Sequence, residues 1–216
     1  MAATETAYRV LDLEEAALAA GEDNRRRVPL RRDFDIAAFG VNAIYQAKAG
    51  EPVIGKHDEI SPFAGGHEEL YVVLQGSATF TVDGDEVAAP AGTLLVVPPG
   101  TRRGATAAED GTTVMVIGGV PGAAGPRTPF EYWYEAEPHY RAKDYAKAVE
   151  VASAGLEDWP DHPSLRYQLA CYEALQGHRE QAIAHLKIAF ANNPDTREWA
   201  AGDEDLQSVR DDPALA

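Results

Sequence analysis

The chain has 216 residues, 45% of them hydrophobic, and a formal net charge of −16 at pH 7. That length suits one large domain or two small ones with an ordinary core, and the acidic balance argues against a nucleic-acid partner. No apolar run is long enough to cross a bilayer, and the single Cys171 excludes an intrachain disulfide and fits a reducing compartment.

Residues 1–33 read as an N-terminal arm. Residues 8–13 suggest a short strand, and residues 14–20 one or two helical turns ending at Gly21. The start is acidic and alanine-rich, without the basic and apolar regions of a secretory signal, so a cytoplasmic protein is expected. Arg25, Arg26, Arg27, Arg31 and Arg32 form the one basic cluster. Its first reading is a solvated face that balances nearby acids. A sharper alternative is a site for an anionic ligand or an acidic partner surface. Without interleaved aromatic residues it makes a poor nucleic-acid site.

From residue 34 the pattern is that of strands. Residues 34–46 read as one strand with a bulge or bend at Gly40. Gly50-Glu51-Pro52 is a turn, 53–59 a strand and 60–66 a loop. Glu69 opens the next strand, apolar over 71–74 and punctuated by Gly76. Residues 78–82 alternate, and Asp83-Gly84 then sits between two strand-like runs, a strong hairpin signal. Pro90-Ala91-Gly92 precedes a β-branched run over 93–97, which Pro98-Pro99-Gly100 ends. Residues 107–111 read as a loop and 112–117 as a last strand. Short strands separated by Gly/Pro turns argue for an all-β sandwich or barrel.

Within this region the chain resembles the cupins, small β-barrels with two linked motifs. The first motif is G-x5-H-x-H-x3,4-E-x6-G, and Glu69, six residues and Gly76 match its second half. The second is G-x5-P-x-G-x2-H-x3-N. Gly92, five residues, Pro98-Pro99-Gly100 and Thr101-Arg102-Arg103 match it, with Arg103 where the histidine would stand. The resemblance covers roughly residues 35 to 125.

Side chains alternate between the faces of a strand. His57 and Glu59 therefore share one face, and His67, Glu69, Tyr71 and Val73 another. Leu70, Val72 and Leu74 are apolar as well, so alternation alone does not separate inside from outside. The resemblance implies that Glu69 points into the barrel, and His67 with it. At the family's usual spacing H-x-H falls on Pro62, Phe63, Ala64 and Gly65, none of them a ligand. A longer loop aligns it with His57-Asp58-Glu59, with six residues instead of five after Gly50. The candidate metal ligands are then His57, Glu59, His67 and Glu69, a set that suits Zn, Fe, Mn or Ni. Arg103 has no lone pair to offer a metal. Three roles are open to it: another ligand such as His67 replaces it at a metal; it pairs with Glu69 or Glu59 in a metal-free barrel; or its fork holds a ligand carboxylate or phosphate. Arg103 and Tyr71 are the candidates for ligand binding.

Residues 118–129 are rich in Gly and Pro and mark a boundary. Beyond them the period becomes helical. Pro160 and Pro194 lie 34 residues apart, and at the same offset Ala136 pairs with Ala170, Ala148 with Ala182, and Val149 with Ile183. This resembles tetratricopeptide repeats. One helix is expected over 140–156, and Pro138 is expected to kink or split the helix before it. Residues 197–210 suggest part of a capping helix. Two repeats are few for a free-standing array, so their apolar face is expected to pack on the barrel or across a dimer interface. Such a segment serves as a stabilising lid or dimerisation arm, or as a shallow groove for a protein partner. Cys171 reads as a packing residue, His139, His162, His178 and His185 as surface or packing residues, and Trp133, Trp159 and Trp199 as helix anchors. No G-x-S-x-G elbow and no P-loop is present.

The expected fold is mainly β: a cupin-type barrel over 34–125, after the arm 1–33 and before a small helical repeat segment over 130–216. The expected function is binding of a divalent metal or a small anionic ligand. The alternatives are a metal-dependent dioxygenase or isomerase of a small organic acid, and a scaffold whose repeats recruit a partner. The resemblance also implies a homodimer.

Overall fold

The computed structural model describes residues 9–62 and 64–215, and the chain divides into two units between Ala124 and Gly125. The first unit holds α1 (Leu13–Ala19), β1 (Arg25–Val28), α2 (Leu30–Phe34), β2 (Gly40–Gln46), β3 (Pro52–His57) and β4 (Glu68–Gln75). It continues with β5 (Ser77–Val82), β6 (Asp85–Pro90), β7 (Leu94–Val97), β8 (Arg103–Ala107) and β9 (Thr112–Gly119). These strands form a five-stranded sheet in the order β1-β2-β9-β4-β7 and a four-stranded sheet in the order β3-β8-β5-β6. All pairings are antiparallel.

One apolar core lies between the sheets. Ile44, Tyr71, Val73, Val97 and Val114 enter it from the first sheet, and Val53, Phe80, Ala89 and Ala105 from the second. Alternation places Tyr71 and Val73 inward while Leu74 is exposed. Asp83 and Gly84 both adopt positive φ, 47° and 101°, as a two-residue hairpin matched to strand twist demands. A smaller cluster lies on the outer face of the first sheet, where Ala17, Leu30 and Phe34 of the two short helices pack with Val28, Val41 and Ala43.

Several local expectations are corrected. Residues 9–12 form no strand, because the Asp12 carboxylate accepts from the Glu15 N–H at 2.9 Å and starts α1; Tyr8 lies outside the described residues. The strand expected over 34–46 begins only at Gly40. Leu30 and Phe34, four apart, share the apolar face of a helical turn, which Asp35 stops at φ 55°. The segment 103–107 is a strand and hides from alternation because its sequence is small and polar; it lies between β3 and β5.

The second unit comprises α3 (Pro129–Arg141), α4 (Tyr145–Asp158), α5 (Pro163–Leu175), α6 (Arg179–Asn192) and α7 (Asp195–Gly202), with 3-10 turns at Glu204–Leu206 and Pro213–Leu215. Helices α5 and α6 start 34 residues after α3 and α4, at 163 against 129 and at 179 against 145. Ala136, Ala148, Ala170 and Ala182 are fully buried in this unit's core. Leu206, Val209 and Leu215 join that core, so the C-terminal turns help to bury the apolar face that the short array was expected to place on another surface. Helix α3 runs through Pro138 unbroken; the proline sits in the last turn, where it forfeits a single backbone bond. The helix expected over 140–156 is instead interrupted, with Lys143 at φ 59° and Asp144 capping α4. Over the whole described chain, helical residues outnumber strand residues, so a mainly β description holds for the first unit only. No helix among the described residues is long and apolar enough to cross a membrane.

Gly155 of α4 lies where a Cβ would approach the Tyr132 ring at 2.8 Å and Leu165 Cδ2 at 2.9 Å. Alanine gains about 1 kcal/mol of helix propensity there, but overpacking costs about 1–3 kcal/mol. Gly155→Ala is therefore expected to lower the denaturant midpoint of the protein. A raised midpoint would show that the helices separate freely at this contact.

Candidate functional site

The chain after β3 does not continue as strand. Glu59 takes φ 64°, a left-handed conformation that costs a non-glycine residue about 1 kcal/mol. Its neighbours hold it there. Asp58 Oδ1 accepts from the N–H of Ile60 at 3.1 Å, the N–H of Ser61 at 3.0 Å and the Ser61 hydroxyl at 2.7 Å. The hydrogen bonds from Ser61 and then Ile60 keep the Asp58 carboxyl below the usual carboxylate range. The Gly66 N–H donates to Glu59 O at 2.9 Å, and the Gly100 N–H to Asp58 O at 2.8 Å. His57 and Glu59 thus converge through a turn, and not through the strand alternation expected of them.

Three donor groups meet. His57 Nε2 lies 3.0 Å from Glu69 Oε2 and 3.5 Å from Glu59 Oε1, and one ligand atom of each residue lies within 4.8 Å of the others. His57 Nδ1 lies 2.8 Å from Gly55 O. A carbonyl only accepts, so Nδ1 carries the hydrogen and Nε2 turns towards the Glu69 carboxylate. Two acceptors 3.0 Å apart need a cation between them, a proton or a metal ion. His67 shares the side of Glu69 in β4, as parity predicts, since both flank Gly118. Its Nδ1 lies 3.6 Å from Glu59 Oε2, yet it stands outside the three-residue cluster.

Tyr71 and Arg103 lie deeper. The Tyr71 hydroxyl donates to Glu69 Oε2, and its ring meets Phe80 edge-on with centroids 5.3 Å apart. Burial first, and then the bond to Glu69, push the phenol well above its ordinary range. The Arg103 side chain is 0% exposed, with Nε 3.6 Å from Glu69 Oε2. Its Nη2 donates to Val97 O and Pro98 O at 3.0 Å each, while Nε and Nη1 make no hydrogen bond among the described residues. The geometry pairs Arg103 with Glu69, and the guanidinium also braces the turn that opens at Pro98.

Glu59, Glu69, His57 and Tyr71 line a cavity of about 500 Å³ that Arg25 and Arg27 of β1 also border. The sequence placed these arginines in an arm and not on a strand; as part of β1, residues 25 and 27 share a face. Asn42, also on its wall, carried no signal in the sequence.

Glu69→Gln leaves the buried Arg103 charge without its carboxylate and is expected to cost about 3 kcal/mol in chemical denaturation. Adding Arg103→Met should recover part of that loss, whereas additive losses would mean that the pair does not interact. Because the Tyr71 phenol is raised in the folded state, the stability it contributes is complete below the ordinary phenol value of about 10 and is lost as pH rises past it. Ultraviolet titration of native Tyr71→Phe should superimpose on the wild type through the ordinary phenol range; a missing titration there would refute the burial of this hydroxyl.

A family model described as "Cupin domain" matches residues 55–118, about a third of the chain. No curated protein matches. Among solved structures, a cupin protein from Bacteroides fragilis is 22% identical, with 57% of this chain and 93% of that chain covered and a TM-score of 0.43. A protein of unknown function from Streptococcus pyogenes is 23% identical over 52% and 88%, with a TM-score of 0.39. A sugar phosphate isomerase of the cupin superfamily from Silicibacter pomeroyi is 20% identical over 57% and 69%, with a TM-score of 0.38. The Glu69, Gly76 and Pro98-Pro99-Gly100 pattern lies inside the matched residues, so the chain carries a cupin-domain match over residues 55–118 of its first unit.

Proposed function

We propose that the cupin domain, read as a jelly-roll barrel, binds one divalent metal ion through His57 Nε2 and the carboxylates of Glu59 and Glu69, and holds a small anionic molecule in the adjoining cavity. The observation that carries this reading is the orientation of His57. Its Nδ1–H is spent on a backbone carbonyl, as metal-ligating histidines commonly arrange, and its other nitrogen faces a carboxylate at 3.0 Å. The donor set fits an ion: separations of 3.0 and 3.5 Å are those of neighbouring ligands placed about 2.0–2.2 Å from one centre. At the β3–β4 side of the cavity the carboxylates of Glu59 and Glu69 lie with His57, and Arg103 is the cation in ionic contact with Glu69. Three protein ligands leave open positions, and imidazole with carboxylates suits Zn, Fe, Mn or Ni. When bound, such an ion supplies Lewis-acid polarisation of a ligand oxygen. A metal-dependent isomerase or dioxygenase of a small organic acid is the enzyme form of the same reading. The 34-residue recurrence supports reading the helical unit as tetratricopeptide-like, for packing or for a protein partner.

Chelator-treated protein titrated calorimetrically with Mn²⁺, Fe²⁺, Zn²⁺ and Ni²⁺ should take up about one ion per chain. His57→Ala and Glu59→Ala should each weaken binding tenfold or more, and His67→Ala should leave it nearly unchanged. Absence of binding by all four ions, or equal binding by His57→Ala, would overturn the metal reading.

A further inference from the structure

The basic cluster of the N-terminal segment is divided by the strand it forms. Arg26 turns to the outer face of the first sheet, where its guanidinium lies 5.3 Å from the Tyr45 ring centroid and its Nε donates to Asp23 O at 2.8 Å. Arg32 pairs with Asp33 at 2.9 Å. Arg25 and Arg27, two residues apart on β1, face the other way and border the cavity that His57, Glu59 and Glu69 line. Lys56 of β3 borders it as well. Among the described residues none of these three cations forms an ion pair, although the chain carries 35 acidic side chains. Arg25 spends its Nε on Val53 O at 3.0 Å, and among the described residues the guanidinium groups of Arg25 and Arg27 form no other hydrogen bond. Partial desolvation first, and the neighbouring Arg27 charge second, hold Arg25 below its ordinary value.

The cavity is thus polarised, with cations at the β1 side and two carboxylates at the β3–β4 side. Its volume of about 500 Å³ is that of a pocket for a small molecule. We propose that Arg25 and Arg27 are the anion-binding end of this cavity and that its ligand is a small hydroxylated organic anion. The phosphate or carboxylate lies on the two guanidinium groups, whose planar forks match either group. The hydroxyls reach towards Glu59, Glu69 and Asn42, as donors to carboxylates or as ligands of a metal held there. This deepens the reading of the cavity as a ligand site but does not depend on the metal.

The test is calorimetric titration of the full chain with four probes: glucose 6-phosphate, glucuronate, inorganic phosphate and glucose. It is run on chelator-treated protein and again with Mn²⁺ or Zn²⁺. The wild type should bind at least one anionic sugar more tightly than glucose, and added salt should weaken that binding. Preference for glucose 6-phosphate over glucuronate identifies a phosphate head; the reverse identifies a carboxylate. Arg25→Gln/Arg27→Gln should lose tenfold or more in affinity. Lys187→Gln, which removes one charge from an exposed helical position, should lose none. Both substituted arginines are exposed, and an unchanged thermal midpoint checks that the domain is intact. No binding by any anionic probe up to about 10 mM, binding of glucose as tight as that of the charged sugars, or unchanged affinity in the double variant would each overturn the proposal. The metal reading fails separately, on ion stoichiometry.

Discussion

Arg103 carries a permanent positive charge into the core of the cupin domain, with its side chain fully removed from solvent. Burying such a group alone costs several kcal/mol, so the surrounding chain is arranged to answer it. Glu69 supplies the opposite charge from β4, and the carbonyls of Val97 and Pro98 accept from the guanidinium. The same Glu69 oxygen accepts from Tyr71 and faces His57. One carboxylate thereby links β3, β4 and β8, strands that belong to different sheets. Pro98 holds Arg103, and Gly100 two residues on holds Asp58, so the turn between β7 and β8 anchors the loop that presents Glu59.

This arrangement gives the site its chemistry. A histidine at position 103 would add a lone pair and no fixed charge; an arginine removes the donor and adds a cation 3.6 Å from the hub oxygen. The donors that remain, one imidazole and two carboxylates, would offer a metal a harder set than a histidine-rich one. Glu59 enters this set only because a residue with positive φ follows the strand. The strain there is small beside the hydrogen bonds on either side of it, which hold the turn in place.

The charge distribution follows a similar division. A chain with net charge −16 repels anions at long range, yet it places beside the cavity two guanidinium groups that form no ion pair among the described residues. At ionic strengths near 0.15 M the repulsion is screened beyond about 8 Å. Within that distance the field at the cavity wall is set by the nearby charges, Arg25 and Arg27 among them.

By itself the sequence determined the turns, most strand positions and the identity of the domain. The inward face of Tyr71 and Val73 came from the resemblance and not from alternation, since Leu70, Val72 and Leu74 are apolar too, whereas Asp83-Gly84, Gly76 and Pro98-Pro99-Gly100 act locally, through φ preferences that hold in any context. The 34-residue recurrence was legible for the same reason: alanines at helix crossings repeat wherever the crossing repeats. What only the tertiary structure decided depends on groups distant in sequence. Strand β8 is recognisable by its partners β3 and β5 and not by its small residues. The role of Arg103 was left among three because its partner Glu69 lies 34 positions away and its exposure depends on both sheets. His67 and Glu59 had equal standing as ligands in the sequence, and the turn at residue 59 separated them, since one backbone dihedral redirects a side chain by more than strand parity can foresee.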